Sequence, residues 1–272
     1  MNRQTALRWS GYVAIAVAFA IACGFLSNWQ FTRDASRSTQ LRLIADNYDA
    51  DPVPLAELLP AGAELDPDDQ WRPVILQGEY LPDDQLLARN RAHGGTSAFE
   101  VLVPFRTADG RVFIVDRGWV APGADQPEPD EVPAAPTGTT EVVVRLKPGE
   151  PLPNSGRSAP EGQVPTIHLP LIADAMPGDD VVTSAYGLLV SEDPAPATAP
   201  SALEPPSEDP GPHLSYAIQW ILFAIMGFVF IWYMIRTERR HRREDAEERA
   251  ARTERRRDRD MQEEDALLDS AR

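Results

Sequence analysis

Two runs without a charged side chain, residues 9–31 and 214–235, constrain this chain more than any other feature. A helix needs about 20 consecutive apolar residues to cross the hydrocarbon of a bilayer, and both runs reach that length. Hydrocarbon offers a backbone no water. Each run must therefore satisfy its own N–H and C=O groups, which a helix does within one segment. The pattern predicts an α+β membrane protein, with two transmembrane helices flanking a mainly β domain.

Flanking arginines orient the spans. The first has Arg3 and Arg8 before it and Arg33, Arg37 and Arg42 after it, which decides nothing. The second is followed at once by Arg236, Arg239, Arg240, Arg242 and Arg243, and is preceded by Glu204, Glu208 and Asp209. The C-terminus is therefore expected in the cytoplasm and, with two spans, so is the N-terminus. The result is a multi-pass plasma-membrane protein. It has a cytoplasmic start at 1–8, a span at 9–31, an extracytoplasmic domain at 32–212, a span at 213–235 and a cytoplasmic tail at 236–272. A cleaved signal peptide would use Ala20-Ile21-Ala22, and these residues with Cys23 weakly resemble a lipoprotein box. Residues 24–31 stay apolar, which favours retention as a span. Small residues at Ala14, Ala18 and Ala22, and at Ala16, Ala20 and Gly24, would let the second span approach closely. The abundance of alanine in this chain accounts for them too.

Charge separates the parts. Residues 34–212 hold 30 acids against 11 bases, whereas 236–272 hold 12 of each. So acidic a central domain argues against nucleic acid as a partner, because phosphate needs a basic surface. The arginine-rich, lysine-poor basic set points to a GC-rich bacterial genome. Cys23 is the one cysteine, so neither an internal disulfide nor a Cys-x-x-Cys site exists. There is no Gly-x-Ser-x-Gly, His-Glu-x-x-His, P-loop or Gly-x-Gly-x-x-Gly. The histidines (His93, His168, His213 and His241) lack paired metal-ligand spacing. The chain is expected not to be an enzyme.

Between the spans, residues 34–50 lack helix breakers until Pro52 and Pro54, so the first helix is expected to continue outward. Strand character follows at 72–80, 85–90, 98–105, 111–120, 141–147 and 185–191, with a short helix at 171–176. Asp109-Gly110 between two β-rich runs predicts a hairpin. The Pro- and acid-rich stretches 121–138 and 193–212 read as extended or mobile loops that bury no core. The Arg/Glu tail reads as a helix laced by i,i+4 pairs, or as disordered chain.

The polar and aromatic residues that the fold alone does not require gather at the outer ends of the spans. Trp29, Gln30 and Arg33 leave the first. His213, Tyr216, Ala217 and Trp220 share one stripe entering the second, with Gln219 beside them. Interfacial Trp and Tyr anchor many spans without further function, and a flanking histidine can simply be solvated. Gln219 is different, since an amide within a span needs a partner. Arg117-Gly118-Trp119 ends the strongest strand. Arg117 there either pairs with an acid or serves a ligand, and Trp119 either covers the core edge or joins that site. His93 and His168 fall in or beside predicted loops and read as surface histidines.

The order of motifs resembles the surfeit-locus-one (Surf/Shy) family of cytochrome c oxidase assembly proteins, in a bacterial, actinobacterial form. It runs from Gly24, Trp29, Gln30 and Arg33 through Pro-Val-Pro-Leu at 52–55, Trp71-Arg72-Pro73-Val74, Gly78, Tyr80 and Leu87-Ala88-Arg89. It continues through Gly95, the run 99–105 and Val115-Asp116-Arg117-Gly118-Trp119-Val120. It closes on Pro212-His213-Leu214, Tyr216, Gln219 and Trp220. The family usually has Asn where this chain has Asp116. The resemblance implies a factor that assists haem a insertion into, or maturation of, the catalytic subunit of an aa3-type oxidase. Haem a would be held transiently, with His213 as iron ligand. The macrocycle would pack on Trp29, Tyr216 and Trp220, and its carboxylates would meet Arg33 or Arg117; Gln30, Trp119 and Gln219 complete the candidate set. The implied partners are that subunit, the haem a synthesis machinery and the lipid bilayer. A protein-only chaperone of oxidase subunits explains the same residues, and an envelope sensor or scaffold shares the two-span frame.

Overall fold

The computed structural model describes residues 3–270 except 94, 154, 155, 157 and 177. The chain divides into two compact units, 1–37 with 210–272, and 38–209.

The first unit is a helix pair. Helix α1 spans Arg3–Asn47 and helix α4 spans His213–Ser270. Both contain segments long and apolar enough to cross a membrane. Only 11% of the most apolar window in α1 and none of that in α4 is buried within the protein. A soluble core helix would bury such a window, whereas a lipid-facing helix leaves it exposed. The tail is helical, with an i,i+4 contact from Arg242 to Glu238 at 2.8 Å.

The second unit is a mixed sheet. Its strands are β1 (Val53–Pro54), β2 (Pro73–Tyr80), β3 (Leu86–His93), β4 (Thr96–Thr107), β5 (Val112–Val120), β6 (Thr140–Lys147), β7 (Gln163–Val164) and β8 (Tyr186–Asp193). Short helices α2 (Leu55–Leu58) and α3 (Leu169–Asp174) accompany them. The strand order is β1-β2-β6-β8-β5-β4-β3-β7, and β2 pairs with β4 as well. That extra pairing closes β2, β6, β8, β5 and β4 into a ring, so no central edge is left open. Period-2 alternation sorts the side chains. Phe99, Val101, Val103 and Phe105 of β4 join Phe113 and Val115 of β5 in one core. Leu102, Val112 and Ile114 point the other way, into a second core capped by Leu169 and Ile172 of α3.

The predicted hairpin is the β4–β5 pair, with Gly110 at φ +92° in its turn. Arg111 Nε donates to Asp109 there at 2.9 Å and holds that carboxyl down to about 2. The continuation of α1 is also present. Leu43, Ile44 and Asn47 are buried, and Asn47 Nδ2 donates to the carbonyls of Asp68 and Gln70 at 2.6 and 2.9 Å.

Three expectations need correction. The strand expected at 85–90 runs to His93, so this histidine lies on a strand rather than in a loop. The short helix begins two residues earlier than expected, at Leu169. The Pro-rich stretches carry no long element, yet both are anchored. Ala135 is buried and Val132 packs on the core. Ser201 exchanges both backbone hydrogen bonds with Trp119, each 2.9 Å. Gly118, at φ +123°, permits that approach, because a Cβ there would collide with the Ser201 carbonyl oxygen.

Candidate functional site

Within the helix pair, the side of α1 turned toward α4 carries Ala16, Ala20, Cys23, Ser27 and Gln30, all buried or half-buried. The matching side of α4 carries His213, Ala217, Trp220, Ala224, Gly227 and Ile231. Both sets step by four and three residues alternately, the 3.5-residue repeat of a left-handed helix seam. The helices run antiparallel. Ser27 Oγ donates to the Ala217 carbonyl at 2.9 Å, the space beside Gly227 is filled by Phe19, and Arg8 meets Glu238 at 3.2 Å. Of the two small-residue rows in the sequence, Ala16 and Ala20 supply the seam, while Ala14 and Ala18 are exposed.

At one end of this seam His213 opens α4, and its Nδ1 lies 3.1 Å from Gln30 Oε1. An amide oxygen only accepts, so Nδ1 carries the proton and donates. In the neutral ring, Nε2 then holds the lone pair. This is the arrangement in which an outer partner fixes the tautomer of a ligating imidazole. Trp220 continues the same stripe, half-buried, with its ring edge-on to Phe223 at 5.8 Å. Trp29, Tyr216, Gln219 and Arg33 are exposed on the surface of the pair. The structure thus joins His213 to Gln30 in direct contact and leaves the amide of Gln219 facing outward.

Arg117 and Trp119 belong to the sheet unit. The Arg117 side chain is fully buried, and each of its three nitrogens donates. Nε and one terminal nitrogen reach Glu192 at 2.7 and 3.0 Å, and the other reaches the Pro133 carbonyl at 3.1 Å. Tyr80 donates its hydroxyl to the same Glu192 at 2.6 Å. A cofactor carboxylate would have to displace Glu192 to reach this guanidinium.

Trp119 stacks on His93 with rings 5.4 Å apart and donates from Nε1 to the Ala202 carbonyl at 3.2 Å. His93 in turn lies 2.9 Å from Glu100. Arg91 Nε lies 2.5 Å from Glu100 Oε2, off the line of a hydrogen bond, and Arg91 forks onto Glu150 at 2.8 and 3.0 Å. Beside them, Asp116 is buried. One oxygen accepts from the Gly118 N–H at 3.1 Å and the other has no partner. Burial first, then the charge of Glu100, pushes its carboxyl well above the usual range. Sequence reasoning missed this cluster, because its members are scattered from 91 to 150 and only the β3–β4–β5 pairing, with Glu150 reaching in beside it, gathers them. It also missed Cys23 and Ser27 in the seam, although the steps 16, 20, 23, 27 and 30 carried the signal.

His168 lies ahead of α3 with Nδ1 2.9 Å from the Glu150 carbonyl. No group of three or more His, Cys, Asp or Glu among the described residues is placed to hold a metal ion.

Residues 17–225 match the model of the SURF1 family. The chain is 37% identical over 241 residues to uncharacterized SURF1-like proteins of Mycobacterium bovis and Mycobacterium tuberculosis, with 87% of each chain covered.

Proposed function

Since the chain belongs to the SURF1 family, a family linked to cytochrome oxidase assembly, we propose that it assists maturation of an aa3-type oxidase by holding haem a for its catalytic subunit. The observation that carries this reading is the contact between His213 and Gln30. Gln30 accepts from Nδ1, so the Nε2 lone pair is available to iron. One imidazole is too few to hold a bare ion, whereas a porphyrin brings four nitrogens of its own and asks the protein for an axial ligand. The residues present therefore fit haem. His213 would ligate it, Gln30 would hold the ring's tautomer and orientation, and Trp220, with Tyr216 on the same helix and Trp29 next to Gln30 in the chain, would offer apolar faces. When bound, haem a supplies the redox centre that the finished oxidase needs. This chain would only bind, orient and release it, with no turnover of its own.

The helix pair is proposed to span the plasma membrane with both termini cytoplasmic and the sheet unit extracytoplasmic, a reading supported by the arginines after the second span. Deleting the protein should lower the haem a signal of the membranes while other cytochromes persist. Unchanged oxidase spectra and activity in the deletion strain would defeat the proposal.

A protein-only chaperone is a second reading, favoured by Gln219. Its amide is exposed on the surface of a candidate span. Such a group suits a hydrogen bond to a helix of another protein. Under this reading the oxidase subunit co-purifies with the chain whether or not haem a is made.

A further inference from the structure

Beyond its apolar segment, α4 carries five arginines and one acid between 236 and 243. The helix sorts them. Trp232, Arg236, Arg239 and Arg243 fall at i, i+4, i+7 and i+11, one stripe along the axis, with Arg240 beside it. Glu238 lies on the far side, where Arg8 of α1 meets it and Arg242 also reaches it. The stripe is therefore turned away from α1. All four of its arginines are exposed. Arg236 lies over the Trp232 ring, 5.3 Å from its centre, and Arg240 approaches Glu244 no closer than 3.7 Å. Together with Tyr233 and Thr237 they make one continuous stretch of the α4 surface.

We propose that this stripe is a binding site for the phosphate headgroup of an anionic phospholipid, in the leaflet on the side of the C-terminal tail. Three features fit one occupant. The arginines begin at the first residue after the apolar run, and with a rise of about 1.5 Å per residue Arg236 to Arg243 extends about 10 Å, enough to cross the roughly 5–8 Å of a headgroup layer. Guanidinium forks match phosphate oxygens in pairs. Trp232 and Tyr233 are interfacial aromatics that would lie along the glycerol and upper acyl chain. A zwitterionic lipid offers no net charge to hold four arginines. Farther along the tail Arg249, Arg252 and Arg256 line up again, but at about 1.5 Å per residue they begin about 20 Å beyond Arg236, out of reach of a headgroup layer.

The inference rests on the two-span reading and is independent of haem. Its test is native mass spectrometry of the full chain released from detergent containing equal phosphatidylglycerol and phosphatidylcholine. Each interfacial arginine contributes about fivefold in affinity at low salt, so the wild type should retain phosphatidylglycerol at least tenfold over phosphatidylcholine. Replacing Arg236, Arg239, Arg240 and Arg243 by Gln should reduce that preference to within about twofold. Replacing Arg249, Arg252, Arg255 and Arg256 by Gln removes the same charge and should leave it intact. An equal loss in both variants, or no preference in the wild type, would overturn the site. Release of the wild-type chain from membranes by alkaline carbonate would overturn the span reading along with it.

Discussion

In the sheet unit Arg117 is buried with each of its nitrogens answered, by Glu192 and the Pro133 carbonyl. In the helix pair His213 has one nitrogen answered by Gln30, and the other keeps its lone pair. Both residues stand in the strongest motifs of the chain, and the sequence made both ligand candidates, with an acid partner as the alternative for Arg117 and simple solvation for His213. The contrast shows how to separate them. A buried guanidinium with a protein acceptor on each nitrogen is accounted for by the fold, whereas an imidazole held by one partner keeps a second nitrogen free to coordinate.

That comparison can be broken or sharpened by substitution. The largest effect is expected at Arg117→Ala. It leaves Glu192 charged and buried without a counterion and should cost about 3–5 kcal/mol, read from denaturation of the full chain in detergent. Arg117→Met combined with Glu192→Leu should recover most of this. If haem a binding falls with Arg117→Ala while stability holds, the structural assignment of Arg117 is wrong.

Next in size is Gln30→Leu. Losing the partner that fixes a ligating histidine typically weakens metal affinity about 10- to 100-fold. Haem a content should drop by that order with the melting temperature little changed. An unaltered content would mean that Gln30 does not set the tautomer.

Asp116→Asn tests the unpartnered carboxyl. Its folded pKa is raised by burial and by Glu100, so the native state holds its proton more tightly than the unfolded chain does. Stability is therefore fullest below the ordinary carboxylate value near 4. It declines as pH rises above that value toward the raised folded pKa. The neutral amide removes this loss, so the variant should be the more stable protein at pH 7, and that advantage should disappear near pH 3. A gain that does not depend on pH would contradict the assignment. The smallest effect is Ser27→Ala, which removes the seam hydrogen bond to Ala217 at a cost of about 0.6 kcal/mol.

Much of the framework was legible in the sequence, because its signals are local. Charge-free length marked both candidate spans, the absence of breakers before Pro52 carried α1 outward, and Asp109-Gly110 placed the hairpin. What stayed hidden was non-local. The β2–β4 pairing that closes the barrel joins residues 78–80 to 105–107, and no pattern in either strand announces it. Arg117 could have paired with any of many acids, and only the β6–β8 and β5–β8 registers bring Glu192 beneath it. The loops looked mobile by composition, but Gly118 gives the second one a docking place that composition does not show. The site was half legible. Residue types marked His213 and its aromatic neighbours, while helix phase alone turned Gln30 inward and Gln219, Trp29 and Arg33 outward.

The central claim is that His213 holds haem a. The most direct measurement is the absorption spectrum of the full chain, purified after co-expression with haem a synthesis, beside that of His213→Ala. The wild type should carry the bands of bound haem a, and the variant at least tenfold less. Equal haem a in the two proteins, or none in either, would contradict it.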